Sequence, residues 1–284
     1  MRDSRPSHTA LRVAIRRAEH QVLDDPRVFD DPVALRIIGS VAAAGIRAGV
    51  VNRNQRLSPS FRSYMAVRSR FTEDELAQAV ARGVRQYVIL GAGLDTFAYR
   101  NVHAGVGLRV FEVDHPATQA WKREQLDGAG IPVPSEVCFV AADFERQSLA
   151  DALGAVDFDP KRPAFFSWLG VVPYLSDGAF EETLRFVASS PAGSGIVFDY
   201  GVARETLNPV QKKAFDALAA KVEGMGEPFR LFFAPEAMAA RLAALGFQKC
   251  EDLDREALNV RYFAGRTDDL RVRSNLARLV HAEV

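Results

Sequence analysis

Residues 84–114 read VRQYVILGAGLDTFAYRNVHAGVGLRVFEVD. The run Tyr87-Val88-Ile89-Leu90 is short, β-branched at its centre and ended by glycine, which marks a buried strand. Gly91-Ala92-Gly93 follows as a turn that lets the backbone approach a ligand closely. A second apolar run, Val110 to Val113, carries Glu112 and ends at Asp114, 21 residues after Gly93. That spacing suits a carboxylate at the tip of a second strand, accepting hydrogen bonds from a ribose diol. Strand, glycine turn, helix, strand and acid, in that order, open a fold for a nucleotide-type cofactor.

The residues after the glycines narrow the cofactor. A dinucleotide site uses G-x-G-x-x-G, with the diphosphate on a helix N-terminus. Here the third glycine is Thr96, and Asp95 puts negative charge where a diphosphate would lie. An anion is disfavoured; a ligand with an ammonium group is tolerated. S-adenosylmethionine has a ribose, an adenine and an ammonium, and no phosphate. Asp95 also suits a plain helix N-cap, and the two roles can coexist.

The chain has 284 residues, enough for one large α/β domain with additions or for two small ones. We read it as a single domain, 1–284, with 1–82 as an N-terminal helical cap and 83–284 as a Rossmann-like core interrupted at 201–235. Net charge is zero, so no nucleic-acid or anionic-membrane partner is expected. The two cysteines, Cys138 and Cys250, lack a partner motif and read as buried thiols, not as a metal site. No apolar stretch is long enough to span a membrane, and residues 1–8 lack a signal-peptide core. A cytoplasmic protein is expected.

Along the chain, Leu11, Ile15, Ala18 and Val22 fall at helical spacing. Asp25-Pro26 and Asp31-Pro32 each read as an N-cap before a first-turn proline. Residues 40–58 resist assignment. Phe61 to Arg82 reads as helix, in one piece or in two with a capping box at Thr72 to Glu75. A helix follows His115-Pro116. Val137 to Ala141 is a third strand, leading into Asp143 and Phe144, where an acid can take the adenine amino group and a ring can cover the base. Asp143 also suits a helix cap. Phe165 to Leu169 is a fourth, central strand, and Trp168 near its end falls at the switch-point crevice where open α/β sheets bind ligands. Ile196 to Asp199 is a fifth strand. The loop 224–229 reads as a substrate lid or a mere connector. Phe247 to Leu253 and Leu258 to Ala264 read as a closing strand pair. The alternation of strands and helices implies a mostly parallel sheet with one antiparallel strand.

With these residues in hand, the chain resembles the leucine carboxyl methyltransferase family, in its bacterial S-adenosylmethionine-dependent branch. VILGAGLDTFAYR, VFEVDHPATQAWKREQL, AADFE, FFSWLGVVPYL and GIVFDY carry the resemblance, with the tail from GEPFR to EDLDREALNVRYFAGR. It implies a class I methyltransferase fold: a seven-stranded sheet with the last strand antiparallel. It implies the cofactor across Gly91, Ala92 and Gly93, with Asp114 on the ribose and Asp143 and Phe144 at the adenine. It implies an arginine for the methionine carboxylate, matched best by Arg68, and a tyrosine beside the methionine moiety, matched by Tyr174. Both residues also read as ordinary structural side chains, Arg68 on a helix surface and Tyr174 in the core. Many members carry a glutamate after the fourth strand, in the pattern E-x-V-x-x-Y-[LM]; this chain has Leu169 there.

The expected activity is therefore S-adenosylmethionine-dependent O-methyl transfer to a carboxylate or hydroxyl of a small metabolite. A protein or peptide acceptor is compatible with the resemblance but unsupported by any surface motif. A carboxylate is ionised at neutral pH and needs no base; a hydroxyl would benefit from one, with His103 and His115 nearest the motifs. A non-catalytic S-adenosylmethionine-binding protein and an NAD-dependent oxidoreductase are the rival readings.

Overall fold

The structure, a computed structural model, describes residues 8–49, 59–224 and 228–284. Seven strands form one sheet: β1 (Gln86–Leu90), β2 (Arg109–Asp114), β3 (Val137–Ala141), β4 (Phe165–Trp168), β5 (Gly195–Gly201), β6 (Lys249–Leu253) and β7 (Ala277–Glu283). Their order is β3-β2-β1-β4-β5-β7-β6. Strands β1 to β5 pair in parallel, and β7 is antiparallel to both β5 and β6. This is the mostly parallel seven-stranded sheet with one antiparallel strand that the resemblance implied.

The central strands are covered on both faces. Every residue of β1, β4 and β5 is buried, as expected where helices lie on either side. Side chains alternate between faces. Phe166 and Trp168 join Phe180 and Leu184 of α7 (Asp177–Ala188) in one core, whereas Phe165 joins Phe71 and Leu76 of α4 (Pro59–Ala81) in the other. A third cluster joins α1 (His8–Leu23), α2 (Ala34–Ile37) and α3 (Ser40–Arg47) to Leu94 and to Leu126 of α5 (Pro116–Gly128). The remaining helices are α6 (Leu149–Gly154), α8 (Pro209–Glu223), α9 (Pro235–Leu245) and α10 (Arg255–Tyr262). No helix among the described residues is long and apolar enough to cross a membrane.

The strand order reverses between β1 and β4, so their carboxyl ends flank a crevice. Three glycines with positive φ stand there, Gly91 and Gly93 after β1 (φ 66° and 46°) and Gly170 after β4 (φ 72°). The loops they begin touch. A Cβ on Gly91 would lie 2.3 Å from Val171 Cγ2, so only glycine fits.

Several expectations are corrected. No α-helix follows the glycine turn; two short 3-10 turns, Phe97–Tyr99 and Ala104–Val106, lead to β2. Leu258 to Ala264 is mostly helix α10. Leu258, Val260 and Tyr262 alternate like a strand, but Asp254 caps a helix by accepting from the Glu256 and Ala257 N–H groups at 2.9 Å each. The antiparallel strand is β7 instead, where charged and histidine residues mask the apolar pattern. Cys250 is exposed because β6 is an edge strand, and Cys138 is half-buried. Helix α4 is continuous, since the Thr72 hydroxyl donates back to the Arg68 carbonyl at 2.8 Å instead of capping a restart. The Asp25–Pro26 peptide bond is cis and opens no helix. Residues 50–58, part of the unassigned stretch, and residues 225–227 of the 224–229 loop lie outside the described residues.

Candidate functional site

A cavity opens at the carboxyl ends of β1, β2, β3 and β4. Gly91, Ala92, Gly93, Asp95, Asp114 and Asp143 line it, together with Phe144, Arg68 and Tyr174. All the expected site residues meet there except Trp168.

The glycine turn folds inward on its own hydrogen bonds. The N–H groups of Gly91 and Ala92 donate to the Val113 carbonyl at 2.8 and 3.1 Å. The Gly93 N–H donates to Asp114 Oδ2 at 2.5 Å. None of the three is left to cradle an anion, and no helix N-terminus stands behind them. The glycine turn therefore lacks the backbone N–H cradle that a dinucleotide's diphosphate uses. Asp114 Oδ1 accepts from the His115 N–H at 2.6 Å. Burial raises the Asp114 carboxyl above its ordinary pKa, and those two N–H groups oppose the shift. Two N–H donors leave lone pairs on this carboxylate for a diol.

Asp143 ends the β3 segment. Its Oδ1 accepts from the Glu145 N–H at 3.1 Å in a local turn; it caps no helix, since Ser148 caps α6, and it lines the cavity. Phe144 packs against Trp168 at 6.2 Å between ring centroids. Trp168 itself is fully buried and stacked on Phe180 at 5.6 Å. One residue of strand alternation turns it to the α7 face and turns Leu169 to the cavity. Trp168 thus backs Phe144 and does not reach a ligand. Leu169 presents an apolar side chain where the family pattern has a carboxylate.

Arg68 of α4 is buried beside Gly170. Its Nη1 donates to Asp199 Oδ2 at 2.8 Å, and Asp199 Oδ1 accepts from the Gly170 N–H at 2.5 Å. A Cβ on Gly170 would stand 3.0 Å from Arg68 Nη1. The guanidinium is therefore fixed at the cavity wall by β5 and the post-β4 turn, not free on a helix surface. Tyr174 stands in a 3-10 turn, Val172–Tyr174, with its ring 5.3 Å from that of Phe229.

The sequence reading found a helix where α1 stands but named none of its residues as part of the site. Thr9, Ala10, Val13 and Arg17 line the cavity. Ala10 Cβ lies 3.2 Å from where a Cβ on Gly93 would stand. Arg17 donates to the Leu94 carbonyl at 2.5 Å and lies 3.8 Å from Asp95 and 3.6 Å from Asp31. Asp95 accepts from the Phe97 N–H at 2.8 Å, a local turn bond, while Arg17 balances its charge. The spacing of Ala10, Val13 and Arg17 puts them on one helix face, a signal available beforehand. His115 accepts the Ala117 N–H on Nδ1 at 3.2 Å, so it caps α5. His103 does not line the cavity. Under Asp114, buried Glu112 pairs with Lys122 at 2.8 Å and accepts from the Tyr99 hydroxyl at 3.0 Å, tying β2 to α5.

Comparison with known proteins agrees with this architecture. The family model for leucine carboxyl methyltransferase matches residues 10–188. YktD of Bacillus subtilis, provisionally named an S-adenosyl-L-methionine-dependent methyltransferase, is 31% identical over 299 aligned positions covering 95% of each chain. A protein of Saccharopolyspora erythraea with the same provisional name is 36% identical, over 70% of this chain and 69% of its own. Among solved structures, a provisionally named methyltransferase from Thermobifida fusca superposes with a TM-score of 0.60 at 16% identity, over 98% of this chain and 95% of its own. A Streptomyces avermitilis DUF574 protein gives 0.59 at 18% identity, over 94% and 99%.

Proposed function

This chain belongs to the leucine carboxyl methyltransferase family and is an S-adenosylmethionine-dependent methyltransferase; on that premise we propose that it methylates an oxygen, a carboxylate or hydroxyl, of a small metabolite. The observation that supports the cofactor side is the turning-in of the Gly91, Ala92 and Gly93 N–H groups, with Asp114 and Asp143 facing the cavity. Such a wall suits a ribose and an adenine, and its glycine turn offers a phosphate no backbone N–H cradle. Asp114 would hold the ribose, Phe144 would cover the adenine beside Asp143, and Arg68 would take the methionine carboxylate. When bound, the cofactor supplies an electrophilic methyl on a sulfonium.

The chain's own part is to bind, orient and exclude water. Neither histidine considered as a base is poised for it, since His115 is spent on capping and His103 lies elsewhere. A carboxylate acceptor is compatible with that, being ionised already. Holding oxygen and methyl in line and desolvated then supplies the rate enhancement. Tyr174, in a turn at the cavity wall, is the residue we assign to orienting the acceptor.

Thermal unfolding with S-adenosylhomocysteine and, separately, NAD tests the cofactor side. A ligand at ~100 times its Kd stabilises by about 2.7 kcal/mol, a shift of several degrees at roughly 2–4 °C per kcal/mol. A shift with NAD alone would overturn the assignment. Labelled methyl transfer to pooled acids, phenols and amines then reads the acceptor. A base-labile product is an ester and a base-stable one an ether; transfer confined to amines would refute O-methylation.

A further inference from the structure

Of the three arginines that line the cavity, two have ion-pair partners, while the carboxylates of Asp114 and Glu145 accept backbone N–H groups. Arg17 is turned to Asp31, Asp95 and the Leu94 carbonyl. Arg68 is paired with Asp199. Glu145 accepts from the Ser176 N–H at 2.8 Å, and Asp143 lies 3.7 Å from Arg146. Arg230 also lines the cavity, exposed at its mouth, and no carboxylate among the described residues stands within ion-pair distance of it. Its backbone is nonetheless fixed. The Arg230 and Leu231 N–H groups both donate to the Pro173 carbonyl, at 2.7 and 3.2 Å. Two residues on, the Phe233 N–H donates to the Gly201 carbonyl at 3.0 Å, and the Ala203 N–H to the Phe233 carbonyl at 2.9 Å.

Those bonds hold Arg230 against the turn that carries Tyr174, and Phe229 beside it packs on the Tyr174 ring at 5.3 Å. Pro228, Leu175 and Leu169 add apolar surface to the same cavity. A cation without an ion pair, its backbone anchored beside aromatic and apolar side chains, matches a ligand with an anionic group on an apolar body. Guanidinium pairs with carboxylate and phosphate in a two-pronged geometry that fixes orientation as well as position.

We propose that the methyl acceptor is an organic anion with an apolar, ring-sized body, its anionic group held by Arg230 at the cavity mouth. This rests on the methyltransferase reading and names the substrate class for that site. Arg230 acts on binding more than on chemistry. Pairing a guanidinium with the attacking oxygen would stabilise it before reaction, so the anion on Arg230 serves as an anchor while an oxygen elsewhere on the acceptor faces the methyl. Such uniform binding lowers KM and leaves kcat nearly unchanged.

The test uses the full chain saturated with S-adenosylhomocysteine, titrated by calorimetry with phenylacetate and with its neutral isostere phenylacetamide. Binding of S-adenosylhomocysteine is measured first; if it fails in the wild type, the methyltransferase reading falls and this proposal with it. Given that binding, phenylacetate is expected to bind at least tenfold more tightly than the amide. Arg230→Ala should bring the two within about twofold, Arg230→Lys should restore part of the preference, and S-adenosylhomocysteine affinity should stay within about twofold of wild type. Equal binding of acid and amide to the wild type, or a preference that survives Arg230→Ala, overturns the proposal. So does a large loss of S-adenosylhomocysteine affinity in Arg230→Ala, which would assign Arg230 to the cofactor.

Discussion

Arg68 and Asp199 lie 131 positions apart in the chain and meet at 2.8 Å, both buried, with Asp199 also accepting the Gly170 N–H. One carboxylate thus fixes a cationic side chain and a backbone turn on the same cavity wall. Asp199→Asn keeps the volume but forces an amide N–H against one of two donors. We expect S-adenosylhomocysteine affinity to fall at least tenfold while adenosine binding changes little, since the ribose and adenine wall is untouched. Calorimetry with both ligands checks this; equal losses for the two would show a collapse of the whole site.

Gly91 is held by backbone geometry and by a neighbour. Gly91→Ala meets both a positive φ and Val171 Cγ2 at 2.3 Å. Strain of ~1–2 kcal/mol and overpacking of similar size give a loss of about 3 kcal/mol. Adding Val171→Ala removes the steric part and leaves the backbone part. Melting curves of the single and double variants read the difference; no recovery in the double variant would mean the clash relaxes on its own.

Asp114→Ala removes the acceptor of the Gly93 and His115 N–H groups and the group assigned to the ribose. A charge-assisted hydrogen bond of ~1.5–3 kcal/mol corresponds to a ten- to hundredfold weaker affinity for S-adenosylhomocysteine. Circular dichroism should show the fold retained. Unchanged affinity would take Asp114 out of the site.

A separate network closes the first helix. Arg62 donates to both oxygens of Asp24, at 2.6 and 2.7 Å, and His20 Nδ1 lies 2.7 Å from Asp24 Oδ2. The Val28 and Phe29 N–H groups donate to His20 Nε2, so the ring proton is on Nδ1. Burial raises the Asp24 carboxyl, but the hydrogen bonds from Arg62 and His20 outweigh it and hold its pKa below the ordinary value. A depressed folded pKa gives stability that is present above the unfolded value and lost as pH falls through the folded one. Asp24→Asn should cost about 3 kcal/mol at pH 7. The gap between variant and wild type should begin to narrow below roughly pH 4 and shrink further as pH falls. Thermal melts across pH 3 to 7 decide it; a gap independent of pH would mean the loss is not electrostatic.

Much of this was readable in the sequence, for a physical reason. Strands β1, β4 and β5 are buried on both faces, so their apolar runs stand out against the turns that end them. Gly91, Gly93 and Asp114 lie within one strand–turn–strand unit whose spacing is local. What escaped reading depends on distance or competition. Asp199 stands in the quoted GIVFDY stretch, yet nothing local reveals that its partner is Arg68. Arg17 reaches the glycine turn only because α1 packs on it. Leu258 to Ala264 alternates like a strand until the Asp254 cap decides for helix, and Trp168 was misplaced by a single step of strand alternation.

Strand β7 fills the gap between β5 and β6, and it is the last of the seven to be synthesised. Until it emerges from the ribosome, β5 presents an unsatisfied edge and β6 has no neighbour at all. Phe198 and Val197, buried in the finished protein, lie on that waiting edge. The nascent chain must therefore carry an open sheet edge from the completion of β5 at Gly201 until β7 begins at Ala277, and chaperone demand in that interval should be set by β5 and β6 more than by the cofactor-binding half.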